Sequence, residues 1–226
     1  MTHCELILQG ISDGDTIGGP FAMASLVAKT LSNDPFDMDA LDQAYMDYYE
    51  SGSFDSGPTF EKVHELMTRG YSRVNAVKEV HKLFKGMTAG CNPMHRFMVV
   101  AGSSVEYEDL DVLARKEAGL THFDPSAGLY SGILVRIVRR LLDDQGLELA
   151  HRKVSSELTL REREKLMVTI SNSGAASDVL STALYFAEDV DNGLVRALEF
   201  AGSNNYCPPI VGVLVAAQRL NRGRFS

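Results

Sequence analysis

Helical periodicity, cut into lengths by proline at the starts and glycine at the ends, constrains this chain more than any other feature. Pro20 opens one run, with Phe21, Ala24, Ala28 and Leu31 on a single face. Asp34–Pro35 opens the next, followed by Met38, Leu41, Tyr45 and Tyr48. Gly57–Pro58–Thr59 precedes Phe60, Val63 and Met67, and Gly70 stops that helix. Val74, Val77, Val80 and Phe84 make another, ended by Gly86, and "YEDLDVLARKEAG" closes at Gly119. Asp124–Pro125 opens the longest pattern, with Leu129, Ile133, Ile137 and Leu141 at intervals of four, stopped by Gly146. Its arginines, Arg136, Arg139 and Arg140, read as a solvated face. In "SSELTLREREKLMVTIS", Ser155 or Ser156 ahead of acidic residues reads as a capping-box start. "SDVLSTALYFAEDV" and "NGLVRALEFAG" are short helices, and "PPIVGVLVAAQRL" is apolar almost all round, which predicts a buried helix. Only "CELILQG" alternates like a strand, and it is too short to define a sheet. With no linker or fixed-period repeat, residues 1–226 read as one all-α domain.

Composition narrows the partners. A net charge of −8 argues against nucleic acid or an anionic membrane surface. No apolar run reaches membrane-spanning length, and Met1–Thr2–His3–Cys4 does not read as a signal peptide. Three widely spaced cysteines, Cys4, Cys91 and Cys207, suit a reducing compartment, so a cytoplasmic protein is expected.

Function is to be sought where glycine or proline meets polar groups at helix ends. Five such segments occur: "SDGDTIGGP", "DSGPTF", "GMTAGCNPMHR", "THFDPSAG" and "AGSNNYCPP". Helix starts leave amides unpaired and can bind anions, so converging starts would form a polar cleft on a rigid scaffold. The plainer reading makes each segment only a turn and a cap.

In their order and spacing the five segments resemble the ADP-ribosylglycohydrolase family, which includes the dinitrogenase-reductase-activating glycohydrolases and the J1 crystallins. Gly10, Gly14, Asp15, Gly18 and Pro20 echo the family's Gly-x-x-x-Gly-Asp-x-x-Gly-x-Pro opening. "AGCNPMHR", with Gly90, Asn92, Pro93, His95 and Arg96, stands for its central Gly-rich segment. Thr121, His122, Asp124 and Pro125 match its Thr-His-x-Asp-Pro, and "AGSNNYCPPIVGVLVAA" its last polar loop and helix. The resemblance runs nearly end to end and implies a compact orthogonal multi-helix fold. It implies a small-molecule nucleotide sugar or an ADP-ribosylated substrate as partner.

The pattern breaks at the metal ligands. Active members resemble paired-magnesium enzymes with aspartate clusters in two loops, and magnesium needs hard oxygen ligands. Here Gly57 and Pro58 stand beside Thr59, with Asp55 the only nearby carboxylate, and Ser203 and Asn205 occupy the second cluster. The expectation is therefore no metal ligands and no cofactor, with magnesium absent or weakly held. Asp15, Asp55 and His122 are the catalytic candidates for cleavage at an anomeric carbon, with Asp13 a weaker one. Against them, Asp15 reads as a cap of the helix that follows and Asp13 as a solvated turn residue, while Asp124 is better explained as an N-cap before Pro125 than as a catalyst. Gly14, Gly18, Thr59, Asn92, His95, Arg96, Asn205 and Tyr206 are the substrate-binding candidates. Arg96 is placed to grip a diphosphate unless an acidic neighbour takes it. Cys91 and Cys207 read as small buried residues, and Tyr45, Tyr48 and Tyr49 as packing. Two function classes remain: a protein that hydrolyses or binds a ribosyl group, and a non-catalytic crystallin-like structural or interaction protein. A generic helical domain with an accidental resemblance is the third reading.

Overall fold

Thr2 starts the first helix, not a strand. Its hydroxyl accepts the Glu5 N–H at 3.2 Å and its own N–H donates to Glu5 Oε2 at 2.7 Å, a reciprocal cap. Helix α1 (His3–Gly14) follows and buries Leu6, Ile7, Gly10, Ile11 and Gly14 on one face. The strand-like alternation of "CELILQG" is thus corrected: two of the buried positions are glycines, which carry no apolar signal. The computed structural model describes residues 1–31, 36–166 and 169–224.

After α1 come α2 (Gly19–Thr30), α3 (Met38–Glu50), α4 (Pro58–Thr68), α5 (Arg73–Leu83) and α6 (Asn92–Phe97). A 3₁₀ turn (Met98–Gly102) leads to α7 (Tyr107–Gly119) and α8 (Pro125–Leu142). The chain ends with α9 (Leu147–Glu157), α10 (Leu160–Arg163), α11 (Ala176–Ala187), α12 (Gly193–Ala201) and α13 (Pro208–Arg224). Among the described residues there is no strand; Gly90 and Ala175 form an isolated antiparallel bridge. Among the described residues no helix is long and apolar enough to cross a membrane. The fold is all-α.

Helix α8 is the axis. Asp124 caps it through the Ser126 N–H at 2.8 Å, and the run Ala127 to Val138 is buried throughout. α7 lies along it, and α6, α9, α11 and α13 pack around it. α13 buries Ile210, Val211, Val213, Leu214 and Val215, as an apolar all-round helix must. It runs against α1 at a seam where glycines let the two backbones touch. A Cβ on Gly10 would stand 2.7 Å from Val213 Cα, and one on Gly212 would overlap the Gly10 carbonyl. At the far end Gly14 meets Pro208 in the same way. Close approach of these backbones brings the end of α1 to the start of α13, although they are almost a chain length apart. The pair α4 and α5 carries a small core of its own: Val63, Leu66, Ala76, Val77 and Val80.

Other expectations need correction. Ser155 and Ser156 sit in the last turn of α9, whose Leu147, Ala150 and Val154 are buried. The reciprocal cap lies at Thr159, which accepts the Glu162 N–H at 3.3 Å and opens α10. The α8 arginines are not a solvated face. Arg136 is 7% exposed and reaches Asp111 at 3.1 Å and Glu157 at 3.2 Å. Arg139 donates to the carbonyls of Ala101, Ser103 and Val105 at 2.6–2.9 Å, and Arg140 pairs with Glu157. Aliphatic stems let these long side chains cross apolar ground to reach acceptors on neighbouring elements. The expected start at Asp34–Pro35 lies outside the described residues; the observed cap of α3 is Asp37, accepting from Asp39 N and Ala40 N. Asp13 belongs to the last turn of α1, where it accepts from Gln9 at 2.7 Å.

Candidate functional site

Four of the five polar segments meet. The Gly14–Pro208 contact sets Asp15, just after α1, beside the loop before α13. Asp15 Oδ1 accepts the N–H groups of Ile17 at 3.1 Å and Gly18 at 2.6 Å, and Oδ2 accepts that of Phe21 at 2.8 Å. It thereby closes the first turn of α2, as a helix-capping carboxylate does. Gly18 makes the turn at φ +112°, a conformation that favours glycine.

Asn205, buried, joins the segments. Its Oδ1 accepts from Thr16 N at 3.1 Å and Thr16 Oγ1 at 3.0 Å. A backbone N–H can only donate, so this pair fixes which end of the amide is oxygen. Nδ2 must then point the other way. It donates to Asp15 Oδ1 at 2.7 Å and to Asp55 Oδ2 at 3.1 Å. One amide nitrogen thus links two carboxylates 40 residues apart in sequence. Asp55 is exposed and left-handed at φ +48°, and its backbone lies so near Gly19 that a Cβ there would overlap it.

The opposite wall is α6. Asn92 Nδ2 donates to Ser56 O at 3.0 Å, and a Cβ on Gly57 would stand 2.6 Å from that nitrogen. His95 Nε2 donates to Tyr206 O at 2.6 Å, which ties α6 to the last polar loop. Burial holds the His95 pKa below its ordinary value, so the ring is neutral at neutral pH. These walls enclose a cavity of about 270 Å³ between Ile17, Asp55, Pro58, Asn92, His95 and Tyr206.

Other candidates lie one layer deeper or serve packing. Arg96 is 1% exposed; its Nε meets Glu117 Oε1 at 2.5 Å and its Nη2 donates to Thr121 Oγ1 at 2.7 Å. Tyr45 Oη donates to the same Glu117 oxygen at 2.8 Å, beneath an Arg96–Tyr45 ring contact of 4.9 Å. Arg96 has therefore been taken by an acidic neighbour. Thr121 Oγ1 lies 2.8 Å from His122 Nδ1, and burial pushes the His122 pKa down to about 3. Thr59 is buried in the first turn of α4. Gly14 serves helix contact. Cys91 and Cys207 are buried thiols, pushed up to about 12 and about 11 by desolvation. Tyr45 packs edge-on to Phe60 with centroids 5.8 Å apart.

The carboxylates at this junction are already engaged by N–H donors. Asp15 Oδ1 already accepts three donors and Oδ2 one, and between the two carboxylates stand the hydrogens of Nδ2. A cation there would face an N–H donor. Among the described residues no three His, Cys, Asp or Glu side chains gather as a metal site.

The sequence reading overlooked Thr16, Ser56 and Glu117. Glu117 had a signal: it falls on the face of α7 that carries Leu110 and Ala114, where a charge requires a buried partner. Thr16 had none, since its backbone N–H and hydroxyl both serve a residue 189 positions away.

The family model described as ADP-ribosylglycohydrolase matches residues 15–219. Among solved structures, a chain described as an "ADP-ribosylglycohydrolase-related protein complex" is similar at 18% identity and a TM-score of 0.71. That likeness covers 96% of this chain and 88% of the other, and concerns the fold. No curated protein matches the chain.

Proposed function

The chain belongs to the ADP-ribosylglycohydrolase family, and from that premise we propose that its cleft binds a ribosyl group, ADP-ribosyl or related, without a paired-magnesium centre. The observation that carries this reading is Asn205. Its amide joins Asp15 to Asp55 at the floor of a cavity built from four separate loops. A surface assembled from four distant segments, with acceptors at its base, suits the hydroxyls of a sugar. An amide donor at the junction also holds the two carboxylates together without a cation.

Binding is better supported than hydrolysis. Cleavage of a glycosyl bond needs an acid at the leaving group and a base on water. The Asp15 carboxylate is filled by N–H donors, and the His122 ring is buried and neutral. Asp55 remains as the single exposed carboxylate for a base. The second reading, a non-catalytic crystallin-like structural or interaction protein, draws on the same two facts.

Calorimetric titration of the full chain with ADP-ribose and with simple ribosides, each with and without magnesium, tests the proposal. Saturable binding by any of them that ignores magnesium is the expected result. Binding that requires magnesium overturns the metal-free site, and no binding by any ribosyl compound leaves the structural reading.

A further inference from the structure

We propose that the cleft takes its ribosyl group in an unphosphorylated, uncharged form, as in a nucleoside, and excludes phosphate. This inference rests on the ribosyl-binding reading above and names the class of ligand within it.

Phosphate recognition needs free N–H groups or cations; the described lining of this cleft carries no Lys or Arg, and proline and local hydrogen bonds remove part of its N–H groups. The starts of α2, α4, α6 and α13 all border it or its supporting loops, and helix starts ordinarily offer unpaired amides. Each of these four has proline in its first positions: Pro20, Pro58, Pro93, and Pro208 with Pro209. Proline has no N–H. Several neighbouring amides are already engaged. Gly18 and Phe21 donate to Asp15, Thr16 to Asn205, and Tyr206 to Asn204 Oδ1 at 3.1 Å. Cys91 N–H goes to the Gly174 carbonyl at 3.1 Å, and Ile210 N–H to that of Cys207 at 3.1 Å. At α2 the Asp15 carboxylate also offsets the positive end of the helix.

Charge points the same way. Asp55 is the charged side chain among the described residues lining the cavity, and Asp15 stands behind it. Arg96, the cation that the motif would supply, is turned inward to Glu117. An incoming phosphate would meet like charge in a site without a compensating cation.

Size and donor pattern fit a nucleoside. The cavity of about 270 Å³ falls under the roughly 300–1,000 Å³ of pockets for drug-sized ligands. Asp55 and the Asn92 oxygen, whose amide nitrogen is spent on Ser56, are acceptors for ribose hydroxyls. At the rim Ile17 and the Tyr206 ring are partly exposed, an apolar surface on which a base can lie. The ring is backed by Gly174, where a Cβ would stand 3.2 Å from Tyr206 Cζ.

The test is calorimetry on the full chain with adenosine, uridine, their 5′-monophosphates and ADP-ribose at one ionic strength. The expected result is that a nucleoside binds at least about tenfold tighter than its monophosphate, a gap that narrows in Asp55→Asn. A monophosphate or ADP-ribose that binds as tightly or tighter, and weakens with salt, overturns the inference while the ribosyl reading stands. A gap unchanged in Asp55→Asn overturns the charge-based exclusion. If no compound saturates, the ribosyl reading itself falls and takes the inference with it.

Discussion

Asn205 and Arg96 anchor two polar clusters that differ in almost every physical respect. The rim cluster, Asp15–Asn205–Asp55, is half open to water, joins loops, and is held by a neutral amide. The inner cluster, Arg96–Glu117–Tyr45–Thr121, is buried, joins helices, and is held by an ion pair. Helix α6 serves both the cleft wall and the inner cluster. His95 and Arg96 are consecutive, so their side chains leave the helix about 100° apart. One reaches the cleft wall at Tyr206 and the other the core at Glu117. A motif of adjacent polar residues is therefore divided between ligand surface and scaffold.

The largest effect should come from breaking the inner cluster. Glu117→Ala leaves the Arg96 charge buried without its partner, which costs about 3–5 kcal/mol. In a chain of this size that corresponds to a fall in melting temperature of roughly 6–20 °C. Replacing both members together, Arg96→Met with Glu117→Leu, should recover most of the loss in urea unfolding; if the double variant is as unstable as the single one, the pair is not the cause. Next in size is the response to acid. Burial holds His122 at about 3 and His64 at about 4, both below the 6.5 of a free ring. The unfolded chain then takes up protons first, so stability is full above the free-ring pKa and falls as the pH drops toward the folded values. His122 alone should remove on the order of 2 kcal/mol by about pH 5. His122→Asn should flatten that slope between pH 7 and 5, and an unchanged slope would show that the ring is not buried and neutral.

The rim should behave more mildly in stability and more sharply in binding. Asn205→Ala removes the shared donor and should cost about 1–3 kcal/mol while abolishing riboside binding in calorimetry. Asn205→Asp exchanges the donor for a third carboxylate. Its melting temperature should then rise with added magnesium, by about 1.4 kcal/mol of stabilisation at ten times Kd, with no such rise in the parent chain. A parent chain that gains the same stabilisation would mean that the amide does not stand in a cation's place.

How much of this was legible in the sequence follows from what each signal encodes. Proline and glycine mark chain conformation locally, so the starts at Pro20, Pro58 and Pro125 and the stop at Gly119 could be read directly. The convergence of the loops was legible only as order and spacing in a family resemblance, since nothing local in "SDGDTIGGP" points to "SNNYCPP". Three things were not legible. Gly10 and Gly14 bury backbone without an apolar side chain, which let α1 read as a strand. The direction in which Arg96 points depends on the rotation of α6 against α7, a tertiary quantity. The α8 arginines reach acceptors on α7, on α9 and in the 3₁₀ segment, so charge alone could not separate a solvated face from a buried network.

Cys91 tests the comparison at its finest grain, because it lines the rim cavity yet is as buried as the inner cluster. A thiol in an open sugar-binding cleft would titrate near its ordinary range and could act as a nucleophile. Desolvation instead pushes Cys91 up to about 12, so almost none of it is thiolate at neutral pH. It should therefore behave as a small apolar residue in the wall. Cys91→Ala is expected to cost about 1 kcal/mol or less, the value of a small apolar group, and to leave riboside affinity within about twofold. Alkylation by iodoacetamide in the folded chain should be far slower than in urea. Rapid labelling at pH 8, or loss of binding in the alanine variant, would move Cys91 from scaffold to site and would mean that the rim is more open than its geometry implies.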